Sequence, residues 1–304
     1  MVEGAHKVHI VMFMERVLII GATGLLGSAL VDFFPNAYYT FNTTEMKTPN
    51  SFRLDISDQD ALMLLLEKVR PETVVVTAAM TDVDRCESNP GLAYRTNTSP
   101  FFTITKYLSR IGGRVIQIST DYVFSGEVGR YREYDRRDSI NVYGKSKKEA
   151  EDIIINSGVN YAIIRTSGTF GVNESSGKIN FFLWVYRNLR EGKKISVVKD
   201  QYYSPTLNSY LAKAIAEIYN KNIDTIIHFS SVDRISRYDF ALLIVNAFSL
   251  KSNLIRSSSM SEMKWIAKRP RDSSLNCEKS KVMLSNKPPK VSEELLSARL
   301  ELLK

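Results

Sequence analysis

The feature that most constrains the fold of this chain is a glycine-rich turn near its start. Residues 17–20 form a short apolar run of the buried-strand type, and Gly21-Ala22-Thr23-Gly24-Leu25-Leu26-Gly27 follows directly. Glycines in such a turn let the backbone approach a pyrophosphate, and the start of the next helix adds N–H donors. The G-x-x-G-x-x-G spacing differs from that of many dehydrogenases, but its strand–turn–helix setting predicts dinucleotide binding.

The rest of the first half alternates between strand and helix patterns. Strands are predicted at residues 38–41, 73–77, 114–119 and 161–164, with helices at about 25–34 and 59–69, the second opened by a capping box at residues 57–60. This order predicts an α/β fold, a Rossmann-like doubly wound parallel sheet. In the less regular second half, helices are predicted at about 180–191, 206–219, 236–248 and 292–303.

We therefore expect one globule with two interlocked lobes. Residues 14–165 are predicted to form the NAD(P)-binding domain, with some later segments returning to it. Residues 166–304 are predicted to form mainly a smaller, interleaved substrate-binding lobe. Residues 1–13 precede the folded pattern and are interpreted as a disordered or mis-started extension.

Composition narrows the function classes. Two cysteines among 304 residues support neither a disulfide framework nor a metal cluster, so a reducing cytoplasm is the expected compartment. No apolar run reaches the ~18 residues of a membrane span, and no nucleic-acid-binding module is recognisable. Of the three histidines, His228 lies in an apolar strand, where a core role is expected.

Net charge is +8, and most of it lies near the end of the chain. From residue 251 onward there are twelve Lys and Arg against six Asp and Glu, a net +6. Such a stretch either forms an ordinary solvated basic surface or attracts an anionic substrate such as a nucleotide diphosphate.

The cofactor type depends on the second strand. An acidic residue at its end would hold the ribose 2′-hydroxyl of NAD, but the sequence there is Thr40-Phe41-Asn42-Thr43-Thr44. The absence of a carboxylate permits NADP(H), which we slightly favour, and leaves NAD(H) open. Asp55, followed by Ile56, is a candidate for the adenine end of the site and equally a candidate cap for the next helix.

Tyr143 and Lys147 stand four residues apart in a predicted helix, so they share one face. A tyrosine with a normal pKa near ~10 needs electrostatic help to exchange protons at neutral pH, and the neighbouring ammonium is expected to lower that pKa. Thr120 follows the fourth predicted strand, at the edge where open α/β sheets bind ligands. Its hydroxyl could hold a substrate carbonyl while Tyr143 donates the proton.

These residues together resemble the extended short-chain dehydrogenase/reductases and, within them, the dTDP-4-dehydrorhamnose reductase family. The regulatory β subunit of methionine adenosyltransferase is similar to the same family. The resemblance extends from about residue 15 to 285 and is carried by the glycine turn and by residues 78–87, 97 with 100, 119–124, 141–147, 165–167, 200–206 and 269–275.

The resemblance implies a role for each matching residue. Thr120, Tyr143 and Lys147 would form a catalytic triad, and Asp121, Tyr122, Val123 and Arg269 would contact the substrate, with Arg269 near its diphosphate. The implied cofactor set, joined by Asp55 and Ile56 from the reasoning above, is Gly21, Thr23, Gly24, Leu25, Leu26, Gly27, Ala78, Ala79, Thr81, Asn97, Tyr143 and Lys147.

Three positions depart from the family pattern. Gly168 stands where the family usually has Trp after its Arg-Thr-Ser, so part of the sugar pocket is altered. Ser139 replaces an expected Pro, and Thr77 replaces a common Asn.

The resemblance implies NAD(P)H-dependent reduction of the 4-keto group of a nucleotide-linked 6-deoxyhexose, with dTDP-4-dehydrorhamnose as the main expected substrate and a homodimer as a possible assembly. A 4,6-dehydratase is disfavoured because Tyr122 stands where that family has Glu. An epimerase with retained NAD, and an NADP-binding regulatory subunit partnered with methionine adenosyltransferase, remain open alternatives.

Overall fold

The computed structural model describes residues 16–173 and 179–303, so the extension predicted at residues 1–13 lies outside the described residues. The strands in chain order are β1 (Val17–Ile20), β2 (Tyr38–Phe41), β3 (Ser51–Arg53), β4 (Thr73–Val76), β5 (Arg114–Thr120), β6 (Asn160–Thr166), β7 (Thr169–Phe170), β8 (Ile195–Val198), β9 (Tyr202–Tyr203), β10 (Thr206–Leu207), β11 (Ile226–His228), β12 (Ile235–Ser236) and β13 (Ile255–Ser258).

The helices in chain order are α1 (Leu25–Leu30), α2 (Gln59–Val69), α3 (Val83–Ser88), α4 (Pro90–Asn97), α5 (Pro100–Ser109), α6 (Val142–Asn156), α7 (Phe181–Arg190), α8 (Asn208–Asn220), α9 (Arg237–Phe248), α10 (Glu278–Met283) and α11 (Val291–Leu302). Short 3₁₀ turns lie at Val31–Phe33, Asp121–Val123, Ser252–Leu254 and Met260–Glu262. None of these described helices is long and apolar enough to cross a membrane.

The central sheet confirms the predicted Rossmann-like fold. Seven strands pair in the order β3-β2-β1-β4-β5-β6-β11, and every pairing among them is parallel. The strand order reverses between β1 and β4. In open α/β sheets, ligands bind in the crevice outside the carboxyl ends of the strands at such a reversal.

Apolar side chains on the two faces of the sheet form two separate core clusters. One packs α1 and α8 against one face, with Leu30 and Leu211 completely buried. The other packs α2, α5 and α6 against the opposite face, with Leu62, Ile104 and Ile154 completely buried. Each such side chain contributes about 1.5–3 kcal/mol when it is removed from water, so the sheet is held firmly from both sides.

A third core cluster lies within the second half of the chain, among α7, α9 and α11. It contains a group of aromatic rings, including Phe170, Phe182 and Phe240, whose centroids lie 5.1–5.5 Å apart in the two direct contacts. Strand β11 joins the main sheet, and most of α8 packs on that sheet, while its Tyr210 also contacts the third cluster. The division into a cofactor domain and a substrate lobe stays a prediction.

Local differences from the sequence pattern have simple causes. The cap of α2 is Asp58, whose carboxylate accepts a hydrogen bond from the Ala61 N–H at 3.0 Å, and not Ser57 as the capping box predicted. Ser236 caps α9, at the position where the sequence predicts the start of this helix. Strands β3, β8 and β13, with three or four residues each, have no counterpart in the sequence-based prediction.

A buried carboxyl group predicts an unusual pH dependence of stability. Glu294 on α11 is completely buried, and its Oε1 accepts a hydrogen bond from the Leu207 N–H at 2.8 Å. Burial raises the pKa of this carboxyl well above its usual range, and the nearby Asp233 adds to the rise. Because the folded state holds the proton more tightly, this stabilising contribution is complete below the unfolded pKa of about 4.3 and is lost as pH rises.

We therefore expect Glu294→Gln to gain stability relative to the parent chain as pH rises from 5 to 8, by up to about 1.4 kcal/mol per pH unit. Glutamine keeps an acceptor for Leu207 and cannot ionise. Urea unfolding at several pH values measures the difference, with Glu45→Gln at an exposed position as the control. A stability difference that does not vary with pH would contradict the prediction.

Candidate functional site

The glycine turn lies against β4 at the point where the strand order reverses. Gly21 has φ +91°, and a Cβ there would lie 2.8 Å from the backbone nitrogen of Ala78. A Cβ at Gly27 would lie 2.1 Å from the Gly21 carbonyl oxygen. At Gly24, which precedes α1, a Cβ would meet only that same carbonyl oxygen, at 3.3 Å. Two glycines thus permit close packing, and the third leaves open space beside the backbone.

These features fit a dinucleotide pyrophosphate. The open side of Gly24 and the neighbouring Thr23 and Leu25 lie at the carboxyl edge of the sheet, where the resemblance places the cofactor. Leu26 is buried in the core beneath the turn. The residues that would hold the group are therefore present in the expected arrangement.

The segment after β4 forms the opposite wall of the same crevice. Ala78 and Ala79 are half-buried there, and Thr81 is exposed. Asn97 is buried behind them. Its side chain accepts a hydrogen bond from the Met80 N–H at 2.8 Å and donates to the Met80 carbonyl at 3.1 Å and to Ser146 at 3.0 Å. Asn97 therefore ties this wall to α6, which agrees with its predicted supporting role.

No acidic residue follows β2 at the part of the site where the adenine end of the cofactor is predicted. Thr40 instead accepts a hydrogen bond from the Gly21 N–H at 3.1 Å. Asp55 is exposed, and its carboxylate accepts hydrogen bonds from the N–H and hydroxyl of Ser57 at 2.9 and 2.8 Å. These bonds lie within the loop before α2, whose cap is Asp58, so Asp55 does not cap the helix, and its place at the adenine end stays a prediction. Ile56 is buried in the core below α2.

The three predicted catalytic residues lie together at the carboxyl edge of β5. Thr120 ends that strand, and α6 places Tyr143 in its first turn and Lys147 one turn later. A Cβ at Gly144 would lie 2.0 Å from the carbonyl oxygen of Tyr122, so α6 packs directly on the turn after β5. The Tyr122 and Tyr143 rings meet edge to face, with centroids 5.9 Å apart.

The electrostatics of the pair differ from the sequence-based expectation. Burial raises the pKa of the Tyr143 phenol, and a hydrogen bond with Thr120 acts in the opposite direction. Burial also lowers the pKa of Lys147 to about 8, against an opposing contribution from Glu151. The Lys147 ammonium donates to the Ile118 carbonyl at 2.7 Å. Tyr143 is therefore protonated at neutral pH, as a proton donor must be.

A buried ionic cluster fixes α6 on the sheet. Glu151 is completely buried one turn beyond Lys147, and its carboxylate accepts hydrogen bonds from Arg165 on β6 at 3.0 and 2.8 Å. Arg137 adds a third hydrogen bond at 3.0 Å, and the Ser119 hydroxyl a fourth. His228 lies beside Arg165, and burial, followed by this guanidinium, lowers the His228 pKa to about 3. The predicted core role of His228 is confirmed.

Two of the predicted substrate residues face the protein interior. Asp121 is 3% exposed, and its carboxylate accepts hydrogen bonds from the hydroxyls of Thr120, Ser167 and Ser273 at 3.0, 2.7 and 2.5 Å. Val123 is completely buried in a small apolar cluster, so its side chain is closed to a ligand. These residues shape the floor of the site.

The other two predicted substrate residues lie nearer the surface. The Tyr122 hydroxyl accepts a hydrogen bond from the Gln201 side chain at 3.4 Å. Arg269 forms an ion pair with Asp84 at 3.0 Å and donates to the Ala267 carbonyl at 3.1 Å. Its charge is therefore already compensated within the protein, which the prediction of a diphosphate contact did not anticipate.

The space beside Gly168 is filled by an aromatic ring. Gly168 has φ +48°, and a Cβ there would lie 2.3 Å from Cε2 of Tyr203. The position usually held by Trp in the family is therefore closed to any side chain in this arrangement. The Arg237 guanidinium stacks on the same Tyr203 ring, 4.0 Å from its centroid.

Sequence analysis missed Glu151 and Arg237. Glu151 continues the four-residue stripe of Tyr143 and Lys147, a signal that could have been read. Arg237 is the first residue of α9, where a cation is unfavourable and its presence is therefore informative.

Comparison with known proteins gives a consistent result. A sequence profile described as the RmlD substrate binding domain matches residues 14–302. A dTDP-4-dehydrorhamnose reductase from Aggregatibacter actinomycetemcomitans is 31% identical over 279 residues, which cover 88% of this chain and 92% of that protein. The β subunit of methionine adenosyltransferase 2 from Bos taurus is 29% identical over 276 residues, covering 87% and 81%.

A solved structure gives the same similarity in three dimensions. The dTDP-4-dehydrorhamnose reductase from Bacillus anthracis str. Ames in complex with NADP has a TM-score of 0.85 and 29% identity. The similarity covers 94% of this chain and 99% of that one.

Proposed function

Because this chain belongs to the RmlD substrate binding domain family, we propose that it reduces the 4-keto group of a nucleotide-linked 6-deoxyhexose, dTDP-4-dehydrorhamnose, to the corresponding alcohol, dTDP-L-rhamnose. The chain is an NAD(P)-dependent oxidoreductase, as predicted. The choice of sugar is supported by the names of the relatives.

One observation supports this proposal most directly. Thr120, Tyr143 and Lys147 lie at the carboxyl edge of β5, and the glycine turn opens at the same edge beside β4. A proton donor is thus next to the crevice that fits the cofactor. The segments at 14–165 would bind the cofactor, and those at 166–304 would mainly bind the sugar nucleotide.

When bound, NAD(P)H supplies the hydride that reduces the carbonyl carbon. Tyr143, which burial keeps protonated, gives its proton to the developing alkoxide. Lys147 supplies positive charge on the same helix face, which stabilises the phenolate left behind. The hydroxyl hydrogen of Thr120 is donated to Asp121, so Thr120 meets the Tyr143 hydroxyl as an acceptor, and Tyr143 turns its hydrogen from Thr120 to the substrate oxygen when the sugar binds.

The test is to follow NADPH and NADH oxidation by purified protein with dTDP-4-dehydrorhamnose supplied by upstream enzymes. We expect oxidation that depends on the keto sugar, with NADPH preferred because no carboxylate follows β2. Absence of oxidation with either cofactor would contradict the proposed substrate.

A second candidate is supported by the similarity to the methionine adenosyltransferase β subunit at nearly the same identity. Under it, the chain would bind NADP and a methionine adenosyltransferase catalytic subunit without reducing a sugar. Stable co-purification with that subunit, together with no keto-sugar-dependent oxidation, would favour this candidate over the reductase.

A further inference from the structure

Arg237 places a positive charge between the aromatic rings of Tyr203 and Phe181. It is the first residue of α9 and is half-buried. Its guanidinium lies 4.0 Å from the ring centroid of Tyr203 and 5.1 Å from that of Phe181. Stacking against two rings holds the planar group in one orientation, and the hydrogen-bonding neighbour of its N–H groups is the neutral Tyr122 side chain, so the positive charge itself is not neutralised there.

No carboxylate pairs with this guanidinium in residues 16–173 or 179–303. The neighbouring Arg234 is paired with Asp272, and Arg269 with Asp84. Asp121 is within electrostatic reach of Arg237, but its oxygens are occupied by three hydroxyl donors. A half-buried cation without a paired anion is expected to bind an anionic ligand.

The position of Arg237 connects it to the reacting group. Its backbone N–H donates to the Gln201 carbonyl at 3.0 Å, and the Gln201 side chain donates to the Tyr122 hydroxyl at 3.4 Å. The Tyr122 ring in turn contacts Tyr143. Arg237 and the proton donor Tyr143 are therefore connected through Gln201 and Tyr122.

The placement of this arginine also opposes local stability. A positive charge in the first turn of a helix meets the positive end of the helix dipole. The acidic residue in that turn, Asp239, accepts a hydrogen bond from Ser236 and forms no ion pair with Arg237. Residues that are unfavourable for their local secondary structure are often found at functional sites.

We propose that Arg237 binds an oxyanion of the substrate, either an oxygen of the nucleotide diphosphate or a charged substituent on the sugar. This role rests on the proposed function, because it assumes that a nucleotide-linked sugar occupies the pocket. It moves the anion contact from Arg269, whose charge Asp84 compensates, to Arg237. The Tyr203 ring, which fills the space beside Gly168, stacks on the Arg237 guanidinium and orients it.

Binding measurements without turnover test the proposal. The full chain, saturated with NADP⁺, is titrated calorimetrically with dTDP, UDP, UDP-glucose and UDP-glucuronate. We expect Arg237→Met to raise the Kd of the affected ligands roughly 10- to 100-fold, the range for losing one hydrogen-bonded charge. Arg237→Lys keeps the charge but not the flat, forked shape, so an intermediate loss is expected.

A matched control is Arg190→Met, which removes another arginine that stacks on a tyrosine, at an exposed position of α7. It should leave every Kd unchanged. Far-UV circular dichroism and NADP⁺ affinity, the same in all variants, show that Arg237→Met is folded. If the Met variant does not fold, the Lys variant carries the comparison.

The ligand series separates the two sources of the oxyanion. A uniform loss across all four ligands assigns Arg237 to the diphosphate, and a loss confined to UDP-glucuronate assigns it to a charged sugar substituent. Equal binding by Arg237→Met and the parent chain, or no binding of any ligand by the parent chain, overturns the proposal. Failure of the proposed reaction is distinct, since it appears as missing NADPH oxidation while these binding differences persist.

Discussion

Replacing Tyr143 with phenylalanine is expected to lower turnover by about 10²- to 10⁴-fold, the range that a positioned proton donor contributes. The phenyl ring preserves the edge-to-face contact with Tyr122. Only the hydroxyl is lost, and with it the proton for the alkoxide. The affinity for NADPH should change little, because the glycine turn and the wall after β4 are untouched.

The measurement is steady-state turnover together with NADPH binding by fluorescence. Tyr210→Phe is a suitable control, since it removes a half-buried hydroxyl that contacts Ser297 on the far helix α11. Turnover in the Tyr143 variant equal to that of the control would show that the proton comes from another group, and the catalytic assignment would fail.

The second large effect is expected on stability. Replacing Glu151 with glutamine should destabilise the fold by about 3–5 kcal/mol, because Arg165 would remain buried without its anionic partner. Arg165 is 1% exposed and cannot reach water without disturbing β6. Urea unfolding measures the free-energy difference. Glu149→Gln, at an exposed position of the same helix, should change the free energy of unfolding by less than about 0.5 kcal/mol.

A double variant tests the cause. Glu151→Leu combined with Arg165→Met replaces the buried ion pair with apolar side chains, a change that is often neutral or stabilising when packing is kept. We expect it to recover part of the stability that Glu151→Gln loses. A double variant less stable than the single one would show that another function of Glu151, such as its contacts with Arg137 and Ser119, determines the loss.

Much of this site could be predicted because its signals are local. The glycine turn is a run of seven residues after a strand, and Tyr143 and Lys147 are separated by one helical turn. The sheet places Thr120 beside them because parallel strands end at one edge. Each inference needed only a short stretch of sequence and a general rule of α/β topology.

The contacts that were missed depend on partners far apart in the chain. Arg269 looked free for a diphosphate, and only the fold shows Asp84 beside it. Asp121 looked like a substrate residue, yet Ser167 and Ser273 come from two distant segments to cover it. A short motif indicates the type of a side chain but not whether another segment has already neutralised it.

Gly168 and Tyr203 also limit how this pocket can change by mutation. Any residue other than glycine at position 168 would meet the Tyr203 ring, and a smaller residue at 203 alone would leave a void and remove the platform under Arg237. The two positions are therefore epistatic. A tryptophan at 168 therefore needs a change at 203 as well, so each single substitution on the route from this pocket to the more usual one is expected to lower stability.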